Sequence, residues 1–139
     1  MSSVSKSLLA DVLNVKKVTE RHILKVVRVR LNNRIKEARL NSRNILDVEV
    51  QAARLKFRNA ILNRTAGETT EQAMKSSDLE ANLRNLRSKA AADLDATLEE
   101  IRSNSNDALA ELLVRFDSGE FHTSHINREV EQVEDSVEA

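Results

Sequence analysis

Residues 79–116 read LEANLRNLRSKAAADLDATLEEIRSNSNDALAELLVRF, and the spacing of apolar side chains in this stretch decides the fold. Leu79, Leu83, Leu86, Ala90, Leu94, Thr97, Ile101, Ser105, Ala108, Leu112 and Phe116 follow one another at steps of four and three. On an α-helix those steps return to the same side every turn, so small and apolar residues share one stripe and charges take the rest of the surface. The same interval runs through most of the chain. Every eleventh residue from Leu13 is Leu13, Leu24, Ile35, Leu46, Phe57, Glu68, Leu79, Ala90, Ile101 and Leu112. Eight of the ten are large and apolar, where composition alone gives about three, so the repeat is a property of the chain. In the first half the companion row is ragged, with Lys17, Arg28 and Arg39 ahead of Val50 and Ile61.

Eleven residues in three turns give about 3.67 residues per turn, slightly more than a straight helix, and a stripe with that period drifts toward a right-handed supercoil. A stripe this narrow cannot bury itself. It needs a second helix, either from another chain or from a folded-back half of this one. The expected fold is all-α: a long extended helix forming a right-handed coiled coil with a partner chain, broken near Gly67. The expected interface is Leu13, Leu24, Ile35, Leu46, Phe57, Leu79, Leu83, Leu86, Leu94, Ile101, Leu112 and Phe116.

Composition supports helices and argues against a thick core. The 139 residues include no Trp, Tyr, Pro or Cys, three Phe and two Gly, while 32% are charged. A chain so poor in aromatics lacks the side chains that dominate globular interiors, and without turn residues it cannot build a sheet. Without Cys there are no disulfides and no thiolate metal ligands. No apolar run approaches the roughly 20 residues of a bilayer span, and the segment from Met1 to Lys6 has no hydrophobic core of the secretory kind. These features point to the cytosol, where the sequon at Asn63 carries no sugar.

The zero net charge conceals two opposite halves. Residues 1–64 carry a net charge of +10 and residues 65–139 a net charge of −10. Like charges stack four residues apart at Lys17/Arg21/Lys25, Arg30/Arg34, Arg39/Arg43 and Arg54/Arg58, each pair costing an isolated helix a few tenths of a kcal/mol. The second half has favourable pairs at Glu71/Lys75, Glu80/Arg84 and Glu111/Arg115. The basic half thus reads as built to lie beside an acidic helix in a hetero-oligomer.

Four segments follow: a basic helix over 4–64, a break or hinge over 65–78, a coiled-coil helix over 79–117, and an acidic, partly disordered tail over 118–139. Gly67 can end a helix, and Thr69 and Ser77 each begin a capping-box pattern that restarts one. Ile126, Val130, Val133 and Val137 fall at helical spacing, so a short amphipathic helix fits the tail, frayed rather than docked.

No catalytic or cofactor chemistry is legible. His122 and His125, with Glu129 four residues further on, share a helix face, but an exposed tail gives them no supporting groups for a metal. His22 has no triad partners, and no Gly-rich phosphate loop exists. The ten cations of Lys16–Arg43 would neutralise phosphates, yet no aromatic accompanies them and they read as spread around the helix, which disfavours nucleic acid. Amphipathic helices that lie on lipid show a broad apolar face, whereas this stripe is narrow and broken by Lys17, Arg28 and Arg39.

Several segments resemble the G subunit of the vacuolar-type (V-type) proton ATPase, a peripheral-stalk protein. Ser7-Leu8-Leu9-Ala10 is similar to an early double leucine, and Arg28 through Arg39 to a basic stretch leading into a Leu-Lys-x-Ala core. Glu49 through Phe57 resembles a charged helix ending in an aromatic, and Thr65–Thr70 falls at an interruption. Asn106 through Val114 resembles the closing leucine-rich helix. Ala10-Asp11-Val12-Leu13 and Asn41-Ser42-Arg43-Asn44 depart from the pattern, and nothing in it corresponds to the tail after Gly119. The resemblance spans about residues 7–117. It implies a non-catalytic stator subunit that pairs with the E subunit of that V-ATPase in a right-handed coiled coil and contacts its B, C, H or a subunits. It also implies a place on the cytosolic face of a vacuolar or other endomembrane, reached only through the complex. The alternative is a generic coiled-coil scaffold or a lipid-surface helix.

Overall fold

The computed structural model describes residues 3–62 and 76–138. Helix α1 runs Ser3–Leu62, α2 runs Ser76–Asp117, a single 3-10 turn covers Thr123–His125, and α3 runs Ile126–Glu138. No strand occurs among the described residues, and no helix there is long and apolar enough to cross a membrane. The expected all-α class is the observed one. The break at 65–78, with Gly67 and the capping pattern at Thr69, lies outside the described residues except for its last three positions, which are helical.

The chain divides into two compact units. The first takes residues 1–35 and 99–139 and holds one core: Ile23 and Val27 from α1, Ala108 and Leu112 from α2, Phe121 from the connection, and Val130 and Val133 from α3. Lys16 meets Asp117 at 3.1 Å, while Ile23 and Val27 share their core with the earlier Ala108 and Leu112, so α1 and α2 run antiparallel here. α3 runs with α1, because Arg30 and Arg34 meet Glu134 and Glu138 in the same order. The unit is a three-helix bundle. Its stripe is covered from within the chain, by the fold-back that so narrow a stripe permits, where the extended arrangement would leave the cover to a second chain.

The end of α2 follows directly from its sequence. Gly119 has a positive φ of 81°, a region in which a side chain would clash with its own backbone. The Glu120 amide donates to the Arg115 carbonyl at 3.0 Å and the Gly119 amide to that of Phe116 at 3.2 Å, the paired bonds of a Schellman terminus. Phe121 then folds back edge-on against Phe116, ring centres 5.9 Å apart, and this aims α3 along the bundle.

The second unit takes residues 36–98 and is thinner. Val50, Leu83 and Leu98 are buried, and Ala38, Ser42, Leu46, Ala53 and Phe57 are half-buried on the first segment. Leu79, Leu86, Ala90 and Leu94 are half-buried on the second. Small side chains at many of these positions leave little apolar area to remove from water, so this unit gains less from burial than the first.

Candidate partner interface

The seam read in α2 matches the burial closely. Leu83, Ser105, Ala108 and Leu112 are buried, and Leu79, Leu86, Ala90, Leu94, Ile101 and Phe116 are half-buried. The exception is Thr97, which is exposed while Leu98 beside it turns inward. In α1 the predicted row divides. Ile35, Leu46 and Phe57 are half-buried, but Leu13 and Leu24 are 49% and 40% exposed. The inward stripe of α1 runs Ile23, Val27, Leu31, Arg34, Ala38, Ser42, Leu46, Glu49, Ala53, Phe57 and Ile61. Four-residue steps outnumber three-residue steps more than the eleven-residue repeat allows. The stripe therefore drifts round the helix, away from the Leu13 row at one end and onto Val50 and Ile61 at the other.

The tail expected to be partly disordered is a docked helix. Val130 is 0% and Val133 2% exposed, with Ile126 and Val137 packed against the same core. Its acids face the cations that local spacing leaves unpaired. Glu134, only 4% exposed, takes the Arg30 Nε on both carboxylate oxygens, at 3.0 and 3.1 Å, and Arg34 Nη2 at 2.5 Å. Arg34 also reaches Glu138. The like-charged pair Arg30/Arg34, unfavourable within α1 itself, is thus compensated from α3. Glu129 is buried 3.4 Å from Arg115 Nη2, an ion pair whose Oε2 has no aligned hydrogen bond. Arg115 thereby takes up the carboxylate that the metal reading assigned to the two histidines, and His122 and His125 both stay exposed.

Two arginines share Glu134, and both are about a quarter to a third exposed, so the cluster is partly screened by water. Glu134→Ala should therefore cost about 1–2 kcal/mol, below the range for breaking a fully buried pair. Chemical denaturation checks this, and the loss should shrink in high salt.

What remains outside is the surface open to other molecules. Of the exposed large apolar side chains among the described residues, all but Val114 belong to α1, from Leu8 to Leu62. The row that the repeat marks as the interface is half-buried or buried within the chain from Ile35 onward, at Ile35, Leu46, Phe57, Leu79, Ile101 and Leu112. No protein-family profile, curated protein or solved structure matches the chain.

Proposed function

We propose that this chain is a non-catalytic assembly subunit that works by pairing with a second helical protein, in the specific form of a peripheral-stalk (stator) subunit of a V-type proton ATPase. The observation that carries the assembly role is α1, a helix of 60 residues that keeps large apolar side chains exposed along its whole length. A monomer gains nothing from such a surface, and contiguous exposed apolar area marks interaction sites. The resemblance over residues 7–117 supplies the particular complex. In it the partner is the coiled-coil E subunit, with the B, C, H or a subunits as further contacts, and the mechanical task is to hold the catalytic head against rotor torque.

Affinity purification of the full chain followed by mass spectrometry tests the reading. The E subunit and the head subunits of the ATPase should co-purify in stoichiometric amounts. A stoichiometric helical partner without any rotary-ATPase subunit would refute the stalk and leave the general scaffold reading. A lipid-surface role has its own observation, since Leu8, Leu9, Val12 and Leu13 are exposed near Lys16 and Lys17. Liposome flotation separates it.

A further inference from the structure

α1 carries a second apolar row in addition to its inward stripe. Val18, Val29, Leu40 and Leu62 stand at eleven-residue intervals, with Gln51 at the one missing step, and all five are exposed. Val15, Val48 and Leu55, each more than half exposed, lie within a turn of that row, and none of the seven apolar side chains belongs to the inward stripe.

A line of cations borders this row. Lys17, Arg21 and Lys25 open a pattern of steps by four, four and three that returns as Arg28 and Lys36, then Arg39 and Arg43, then Arg54 and Arg58. All nine are exposed. Between residues 17 and 58 only Arg30, Arg34 and Lys56 fall off the line, and the first two are those that hold α3. Composition gives about three or four cations at these twelve positions. The cations first read as spread around the helix therefore form one stripe in the register of the repeat. At about 100° per residue it lies between the inward stripe and the exposed apolar row.

We propose that this exposed row of α1 docks one amphipathic α-helix of another protein, whose apolar residues meet Val18, Val29, Leu40 and Leu62 and whose flank carries Asp or Glu against the cation stripe. An apolar seam edged by charges of one sign is how coiled coils choose their partners. Polar interruptions within the seam, at Asn33, Asn44 and Gln51, are tolerated between helices, where they fix register, and are unfavourable against acyl chains. Nucleic acid would occupy the cations and leave the apolar row in water. A second copy brings no apolar seam with an acidic flank: its α1 is basic, and among the described residues its acidic α2 and α3 show only Val114 as an exposed large apolar side chain. Inside the first unit the chain already recognises an acidic helix through Arg–Glu pairs. The inference rests on the assembly reading only in requiring a protein partner, and it moves the partner surface off the buried Leu112 row.

The full chain should be titrated with a designed helical peptide of about three repeats carrying Leu at the seam positions and Glu along one flank. Saturable binding is expected, weakened about tenfold or more by Val29→Asp/Leu40→Asp and by Arg28→Glu/Arg39→Glu, with no fall in the thermal melting of either variant, because the altered side chains face water. A peptide with Lys in place of Glu should not bind. Equal binding of wild type and variants, or of the Lys peptide, would overturn the proposal. So would tighter, variant-sensitive binding to phosphatidylserine vesicles or to duplex DNA, or a self-dimer abolished by the same substitutions. The two readings separate cleanly. ATPase subunits that still co-purify with Val29→Asp/Leu40→Asp would sink this face and spare the stalk, whereas peptide binding without ATPase subunits would do the reverse.

Discussion

Leu112→Ala is expected to destabilise the first unit by about 3–4 kcal/mol, while Leu24→Ala, in the same eleven-residue row, costs less than about 1 kcal/mol. Leu112 is 0% exposed and sits where all three helices and Phe121 share one core. Truncating it removes transfer energy and leaves a cavity that α1, α2 and α3 cannot all close onto at once. The neighbouring Ala108 is too small to fill the space. A loss of that size is a large part of the 5–15 kcal/mol that holds a typical domain together. Leu24 has 40% of its surface in water already, so most of its transfer energy is never gained. Denaturant melts followed by circular dichroism give the comparison, and native-state hydrogen exchange locates the loss. Equal costs at the two sites would mean that the bundle core is misplaced and that the chain pairs along its sequence repeat.

The contrast between Leu24 and Leu112 also marks what the sequence discloses and what it withholds. The seam of α2 is legible because steps of four and three are a local signal, and all its members except Thr97 turn away from water. The stop near Gly119 is legible because positive φ selects glycine. The Leu13 row is exposed at its start for a non-local reason. Asp117, the last residue of α2, lies opposite Lys16, so α1 residues before that point run past the end of α2. Among the described residues Leu8, Leu9, Val12 and Leu13 have nothing to pack on there, whatever their period. Docking of α3 was hidden for a related reason. The spacing of Ile126, Val130, Val133 and Val137 shows an amphipathic helix, but an isolated helix of this length is marginal in water. Its stability comes from side chains on other helices, Ala108 and Leu112 on α2 and, about a hundred residues earlier, Ile23, Val27, Arg30 and Arg34 on α1. Glu134 carried no sign of burial, because a Glu is buried only when a partner awaits it, and its partners are Arg30 and Arg34 on another helix. The usable signal was the stack of unpaired cations: the acid they call for is partly in the chain's own tail.

Val130→Asp is expected to detach α3 altogether. Val130 is 0% exposed and surrounded by apolar side chains, and the charged residues on either side of it, Glu129 and Glu131, and one turn on, Glu134, are carboxylates. A new carboxylate there has no cation to meet and repels those beside it, so leaving it buried costs several kcal/mol. Undocking costs less, since α3 is short and its main ties are Val130, Val133 and the Glu134 cluster. The favourable response is local opening rather than global unfolding. A penalty of about 3 kcal/mol raises the open population by roughly a hundredfold. Amides of residues 126–138 should lose their exchange protection, and a Glu-specific protease should cut after Glu129, Glu131 and Glu134, while α1 and α2 keep their helical signal. Asp135→Ala, at an exposed position, should change neither readout. Were the tail frayed in solution, wild type and Val130→Asp would exchange and cleave at the same rate, so this one comparison decides whether the acidic helix occupies the basic face of α1 or leaves it open.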